Sequence, residues 1–249
     1  MTKENRKFGV AVNLTLATVF AALVFVVTSF IPPIPVPATG GYFNLGEAVI
    51  YAAALTFGPL VGALAGGVGA AIADILVAPV FAPGTLAVKG IEGALVGFLG
   101  KKLITQTSKS NWKIYTTLLG ITVGILLAVT GAFYYSGNIE LYIGIPPPQT
   151  ATATIFIPTE LWYILGGIVA LLISFASFKI EPQLGWSVFA IIIGGLEMVI
   201  GYFLYEQIVL GQTAAVFEIP VNIGQMLIGL IIAIPVTRFV LRSIPQLKS

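Results

Sequence analysis

The sequence contains neither cysteine nor histidine. Without cysteine, the chain can form no disulfide framework and offers no thiolate nucleophile. Without histidine, it lacks the most common general base near neutral pH and the most common metal ligand. No clustered acidic motif of the kind that holds a catalytic metal replaces them. We therefore expect a protein that is not an enzyme and that uses no metal and no cofactor.

Charged residues are also scarce. They make up 9% of the 249 residues, whereas hydrophobic residues make up 57%, and the mean hydropathy is +1.01. This composition is typical of a chain that lies in a lipid bilayer rather than of a water-soluble core. A net charge of +2 is too small to indicate nucleic acid as a partner. The Gly100-Lys101 pair lacks the surrounding residues of a phosphate-binding loop, so the sequence encodes no ATP site.

Apolar segments long enough to cross a bilayer, at about 20 residues each, recur along the chain. They lie near 8 to 31, 114 to 139, 161 to 178, 184 to 209 and 219 to 237. A shorter segment at 84 to 100 carries Lys89 and Glu92. The segment from 45 to 78 is too long for one span, and Gly58-Pro59 interrupts it with a pair that ends helices.

The basic residues decide how often the 45 to 78 segment crosses. Eleven of the twelve Lys and Arg residues lie in the first seven residues, the 101 to 113 run, position 179 and the 238 to 248 tail. The positive-inside rule favours a cytoplasmic location for all of these. Only two passes, a short helix at about 45 to 57 and a full one at about 59 to 78, place them together.

The sequence thus predicts an all-α, multi-pass protein of the cell membrane, a polytopic helical bundle with about eight spans and both termini cytoplasmic. The connections at 31 to 41, 78 to 84, 140 to 160 and 210 to 219 then lie outside. The proline-rich 31 to 41 connection is either a partly stiff lid or a plain exposed loop.

Polar side chains within the apolar segments gather toward the predicted outer end, apart from Glu197 near mid-depth. Such groups are costly in a membrane and usually face a protein interior or a water-filled cavity. The candidate binding residues are Asn44, Glu47, Lys89, Glu92, Glu197, Tyr202, Glu206, Asn222 and Gln225. Helical spacing puts Lys89 with Glu92, Tyr202 with Glu206, and Asn222 with Gln225 on shared faces.

These patterns also have purely structural explanations. Lys89 and Glu92 can form a neutralising ion pair, and amides bridge membrane helices. Asn44 and Glu47 have the spacing of a helix capping box. Glu197 and Glu206 are nine residues apart, about half a helical revolution, so both cannot point into one cavity from a straight helix.

Four segments in order resemble a known family: FNLGEAVIYAAALTFGPLVGALAGGVGAAIADIL, FAPGTLAVKGIEGALVGFLGKK, GGLEMVIGYFLYE and IPVNIGQMLIGLIIAIPV. They are similar to the substrate-binding S component of energy-coupling factor (ECF) vitamin transporters, in the riboflavin branch. The resemblance covers about 8 to 102 and 185 to 243. It implies a six-helix core that binds a vitamin from outside and works with a transmembrane coupling protein and two cytoplasmic ATPases.

The resemblance also implies that Ala17 and Ala21 on the first helix face the coupling protein, because small residues four apart allow close helix approach. The alternative is internal packing. The chain departs from the family pattern by an inserted helix pair at about 111 to 180. We expect a single transmembrane domain over 1 to 249 that includes this pair.

We therefore expect a membrane-embedded subunit that captures a small water-soluble vitamin or precursor for import. The excess of acids over Lys89 favours a neutral or amine-bearing ligand. Riboflavin, pyridoxine and the pyrimidine or thiazole precursors of thiamin all remain open. The alternative function is a stand-alone proton-coupled carrier, with Asp74, Glu92 or Glu197 as proton relays.

The absence of cysteine allows a clean test of the predicted topology. A cysteine introduced at Thr107 should react with a membrane-impermeant thiol reagent only from the cytoplasm. One at Ser136 or Thr152 should react only from outside, because the positive-inside rule separates the two regions. The reversed pattern would eliminate the two-pass interpretation of 45 to 78.

Overall fold

The computed structural model describes residues 9–31, 33–36, 39–106, 111–141, 153–179 and 182–244. Within these ranges the chain forms eight helices: α1 (Val10–Phe30), α2 (Gly46–Phe57), α3 (Pro59–Val77), α4 (Ala82–Gln106), α5 (Asn111–Tyr134), α6 (Thr159–Lys179), α7 (Pro182–Val209) and α8 (Gln212–Ser243). Five of them, α1, α3, α5, α7 and α8, contain stretches long and apolar enough to cross a membrane. The predicted all-α polytopic membrane fold is confirmed.

Two short antiparallel hairpins accompany the helices. Strands β1 (Ile34–Val36) and β2 (Gly41–Phe43) pair with Ile34 opposite Phe43. Strands β3 (Gly137–Leu141) and β4 (Ala153–Ile157) pair with Gly137 opposite Ile157. The connections that we expected at 31 to 41 and 140 to 160 therefore contain hairpin strands.

The predicted break at Gly58-Pro59 is confirmed. Gly58 has a φ of 99°, a left-handed conformation that favours glycine. Pro59 is the first residue of α3, where its missing N–H costs no helical hydrogen bond. The backbone N–H of Gly58 donates to the carbonyl oxygen of Ala54 at 2.8 Å and closes α2. The chain thus reverses sharply between α2 and α3.

Helix α2 is short but almost completely buried. Its 12 residues span only about 18 Å at 1.5 Å per residue, well under the thickness of the hydrocarbon core. Residues 46 to 48 and 50 to 56 are all buried. The helix packs against α1, α3, α4 and α8, which shield its ends and sides.

Glycines bring the backbones of α3 and α4 together. A Cβ atom at Gly93 would overlap the backbone carbonyl of Gly62, and one at Gly66 would lie 2.5 Å from the carbonyl oxygen of Lys89. A π-helical turn at Ala65–Gly69 widens α3 at this crossing. The close approach of α3 and α4 fixes the position of Lys89, on α4, relative to α2.

The predicted loop at 210 to 219 is wrong, because α8 begins at Gln212 and continues through Pro220. The connection shrinks to Leu210 and Gly211, and Gly211 adopts a φ of 91°. The prediction placed the helix start after Glu218 because a charge-free run begins there. Glu218 is instead a buried residue on the helix, 3% exposed.

The chain divides into two compact units. The first contains Met1–Gln106 and Trp186–Ser249, and the second contains Thr107–Gly185. Within the second unit α5 packs on α6 through glycine contacts, where a Cβ at Gly124 would overlap the carbonyl of Gly166. The second unit holds the helix pair that we interpret as an insertion. Its membership of one transmembrane domain stays a prediction.

Two of the glycines of α4 that face α3 should respond oppositely to alanine. Gly93→Ala should destabilise the fold by about 1 to 3 kcal/mol, because its methyl group meets backbone atoms that cannot move aside. Gly90→Ala is the matched control, since its Cβ would lie 3.7 Å from the nearest atom and alanine favours a helix. Thermal unfolding in detergent measures both. Equal melting temperatures would contradict the close α3–α4 crossing.

Candidate functional site

A polar cavity lies at the end of the first unit that carries the β1–β2 hairpin. The hairpin, the turn between α3 and α4, and the turn between α7 and α8 all meet there, because these helices alternate in direction. The lining residues are Gly41, Tyr42, Asn44, Asp74, Phe81, Lys89, Tyr202, Glu206, Glu218 and Gln225. The free space among these residues is about 40 Å³, room for roughly three water molecules. The lining side chains therefore occupy most of the site and contact one another.

Lys89 is the centre of a buried ion cluster beside the cavity. Its ammonium group forms an ion pair with Glu47 of α2 and lies 3.8 Å from Oε2 of Glu92 on its own helix. Tyr51 donates a hydrogen bond to Oε1 of Glu92 at 2.6 Å. Lys89 also lies 5.4 Å from the centre of the Tyr202 ring, within range of a cation–π interaction.

A chain of hydroxyl groups forms a second polar cluster around Asp74. Tyr42 donates to Oδ1 of Asp74 at 2.5 Å, and Thr85 donates to Oδ2. The oxygen of Thr85 lies 2.7 Å from the hydroxyl of Tyr202. Since Thr85 has one proton and gives it to Asp74, Tyr202 is the donor in this contact. The cluster connects the hairpin to α3, α4 and α7.

Tyr42 is held as a hydrogen-bond donor by its surroundings. Burial raises the pKa of its hydroxyl above the ordinary value, and the neighbouring Asp74 carboxylate raises it further. The hydroxyl therefore keeps its proton over the whole physiological range.

The hairpin is also attached to α8. Thr39, in the turn between β1 and β2, donates a hydrogen bond to Oε1 of Glu218. The backbone N–H of Gly41 donates to the Thr39 hydroxyl at 3.1 Å, which orients that hydroxyl toward Glu218. A Cβ at Gly41 would collide with the Glu218 carboxylate, so a larger residue here would displace that side chain from Thr39.

Three amides join the start of α2 to α8. The side-chain NH₂ of Asn44 donates to Gln225 at 2.8 Å, and Gln225 donates to Asn222 at 3.3 Å. The oxygen of Asn44 accepts a bond from the backbone N–H of Gly46 at 2.8 Å. Asn44 and Glu47 do not form a reciprocal capping box, because the Glu47 side chain pairs with Lys89 and the N-cap residue is Leu45.

The structure brings most of the candidate residues together. Asn44, Lys89, Tyr202, Glu206 and Gln225 line the cavity. Glu47, Glu92 and Asn222 are buried beside them through the contacts described above. Glu197 is not among the lining residues and is less buried than Glu206, as expected for two positions half a revolution apart. Its carboxylate is within electrostatic range of Glu92 and Lys89.

Several residues of the site were absent from the predicted set: Thr39, Tyr42, Asp74, Phe81, Thr85 and Glu218. Asp74 carried a signal, an acid inside an apolar helix, which we had assigned only to a proton relay. Glu218 carried the same signal but fell in the wrongly predicted loop. Thr39 and Thr85 gave none, since threonine is common both in connections and in apolar segments.

The helices bury polar side chains at one end, where they line a polar and aromatic cavity under a hairpin. This arrangement is typical of a membrane protein that binds a small polar molecule. Comparison with known proteins identifies the family. The family model for the ECF-type riboflavin transporter, S component, matches residues 11–162. The chain therefore belongs to this family, and it is a membrane-embedded substrate-binding subunit of an ECF-type vitamin transporter.

The family match and one relative cover different shares of the chain. The matched range runs through α5 to the start of α6, so it does not itself mark the α5–α6 pair as an insertion, and that interpretation stays a prediction. The chain is also 42% identical over 116 residues to a Pyrococcus woesei protein described as an uncharacterized protein in gap 3'region. That alignment covers 47% of this chain and 72% of the relative.

The two attachments of the hairpin should control its opening. Tyr42→Phe removes the bond to Asp74 and Thr39→Val removes the bond to Glu218. Each should speed amide hydrogen exchange in residues 39 to 43 by about tenfold or more, since a hydrogen bond to a charged group contributes about 1.5 to 3 kcal/mol. Tyr163→Phe, at an exposed position on α6, is the control. Unchanged exchange in both variants would show that neither bond holds the hairpin.

Proposed function

We propose that this S component captures a small water-soluble heteroaromatic vitamin or vitamin precursor in the cavity under the β1–β2 hairpin. The supporting observation is the convergence of charged, amide and aromatic side chains from the hairpin and from α3, α4, α7 and α8 on one cavity. Binding sites for small polar ligands have this mixture of orienting polar groups and apolar walls.

The hairpin end faces the outside in this proposal. The positive-inside rule places the basic run near 101 to 113 and both termini in the cytoplasm. The end with the hairpin lies at the opposite side of each crossing helix. A substrate from outside then meets the hairpin first, and release of Thr39 and Tyr42 from their partners opens the cavity.

The proposed roles follow the chemistry of each group. The Lys89 cluster binds acceptor atoms of the substrate and keeps its own charges paired. Amides read the edge of a heteroaromatic ring, and Tyr202 stacks or donates a hydrogen bond. The proposed substrate-binding residues are Asn44, Glu47, Lys89, Glu92, Glu197, Tyr202, Glu206, Asn222 and Gln225.

An apolar groove between α1 and α3 is the proposed docking surface for the transmembrane coupling protein. Its lining residues are Leu14, Ala17, Thr18, Ala21, Ala22, Phe25, Leu64, Val68 and Ile72. Ala17 is 2% exposed and forms the floor, and a Cβ at Gly69 of α3 would lie 2.5 Å from the Ala21 carbonyl oxygen. The small residues thus pack α1 on α3 and leave a depression of about 370 Å³ beside them.

Two measurements test the function. Mass spectrometry of small molecules that co-purify with the chain should find a heteroaromatic vitamin or precursor. Proteoliposomes that contain the chain alone should bind this compound without accumulating it. Accumulation should require the coupling protein, the ATPases and ATP. Gradient-driven uptake by the chain alone would instead support the proton-coupled carrier.

Bulk in the groove should block coupling while binding persists. Ala22→Trp places a large side chain on the exposed rim of the groove, so it should abolish reconstituted uptake and change substrate affinity less than about twofold. Val19→Trp is the control, because Val19 is 57% exposed on another part of α1. Uptake that survives in Ala22→Trp, or is lost equally in both variants, would place the docking surface elsewhere.

A further inference from the structure

The first unit buries more acidic than basic side chains among the residues that the structure describes. Lys89 is the one buried Lys or Arg among the residues whose side-chain burial the structure describes, and Glu47 and Glu92 flank it. Three further buried carboxylates line the cavity: Asp74, Glu206 and Glu218. An uncompensated charge in a low-dielectric interior costs several kcal/mol. The cavity therefore has more acidic side chains than Lys89 can pair with, and a cationic group placed there would favour their ionised forms.

The three acids differ in how well they are satisfied. Asp74 accepts hydrogen bonds from Tyr42 and Thr85, and Glu218 accepts one from Thr39. Glu206 is 1% exposed, yet no donor among the described residues reaches its Oε2 atom. Glu218 is an acidic neighbour of Glu206 in the same cavity wall. Buried acceptors are nearly always satisfied in folded proteins, and this one lies in a cavity wall.

Aromatic rings line the same cavity. Tyr42, Phe81 and Tyr202 contribute their side chains to its wall. The electron-rich face of an aromatic ring attracts cations, and Lys89 already lies 5.4 Å from the centre of the Tyr202 ring. Carboxylates beside aromatic faces are suited to a positively charged heteroaromatic molecule, since the acids bind the charge and the rings bind the flat surface.

We propose that Glu206 and Glu218 form a cation-binding pole of the cavity, which receives a protonated amine or other positively charged group of the substrate. This inference rests on the proposed function and narrows it. Among the open substrate classes it selects amine-bearing or cationic heteroaromatic compounds over neutral ones such as riboflavin. Glu206 supplies the open acceptor, and Glu218 adds charge while it holds Thr39 of the hairpin.

Matched ligand pairs test the pole. Pyridoxamine and pyridoxine differ by an aminomethyl group, charged at neutral pH, in place of a hydroxymethyl group. The same exchange relates 4-amino-5-aminomethyl-2-methylpyrimidine to its 5-hydroxymethyl analogue. Titration calorimetry is performed on the chain in nanodiscs, with riboflavin as a fifth ligand. In at least one of the two pairs, the amine should bind at least tenfold more tightly than the hydroxymethyl compound.

Substitutions then test whether the preference for the amine depends on Glu206 and Glu218. Glu206→Gln keeps the shape but removes the charge, so it should weaken amine binding by about 10- to 100-fold and hydroxymethyl binding by less than about threefold. Glu218→Gln keeps an acceptor for Thr39 and should weaken amine binding in the same direction. Glu160→Gln, at an exposed position on α6, is the matched control. Thermal melting checks that each variant folds, and Glu218→Gln carries the test if Glu206→Gln does not.

The outcomes distinguish a failure of the cation-binding pole from a failure of the proposed vitamin-binding function. An amine preference that survives in Glu206→Gln and Glu218→Gln overturns the pole. Riboflavin or a hydroxymethyl compound that binds as tightly as the amines also overturns it, while the proposed vitamin-binding function stands. If the folded chain binds none of the five ligands and co-purifies with no vitamin, the proposed function fails, and the pole fails with it.

Discussion

The need to bury a positive charge in a membrane-embedded core constrains the rest of the first unit. Lys89 is 4% exposed, and it is stabilised only because Glu47 on α2, Glu92 on α4 and the ring of Tyr202 on α7 surround it. Removal of one partner from such a buried group typically costs about 3 to 5 kcal/mol. The short α2 helix and the glycine crossing of α3 and α4 bring these groups together.

The hairpin extends the same arrangement to the surface. Tyr42 contacts Asp74, which shares Thr85 with Tyr202, so the hairpin, α3, α4 and α7 are joined by one set of hydrogen bonds. Thr39 adds a separate attachment to α8 through Glu218. A ligand that displaces these internal bonds would change the hairpin and the helices together. The site and its cover therefore form one polar system rather than a rigid pocket with an independent lid.

The sequence predicted those features of the site that follow from the energetic cost of placing polar groups in a membrane. Charge and amide groups in apolar helices are expensive, so Glu47, Lys89, Glu206 and Gln225 could be placed at a site before the structure was known. Gly58-Pro59 could be placed at a turn because glycine permits a positive φ and proline has no N–H to continue a helix. Glu218 was missed because a rule based on charge-free runs ends a helix at the first acid. Thr39 and Thr85 were missed because their roles depend on neighbours far away in sequence.

The central claim is that substrate occupies the cavity under the hairpin. The most direct test uses the natural absence of cysteine and the single replacement Asn44→Cys, at a residue that lines the cavity. The rate of thiol labelling is measured with and without a saturating concentration of the vitamin that co-purifies with the chain. Labelling at Asn44→Cys should be at least tenfold slower with the vitamin bound, and labelling at Ala22→Cys in the groove should not change. Equal rates at Asn44→Cys would contradict the central claim.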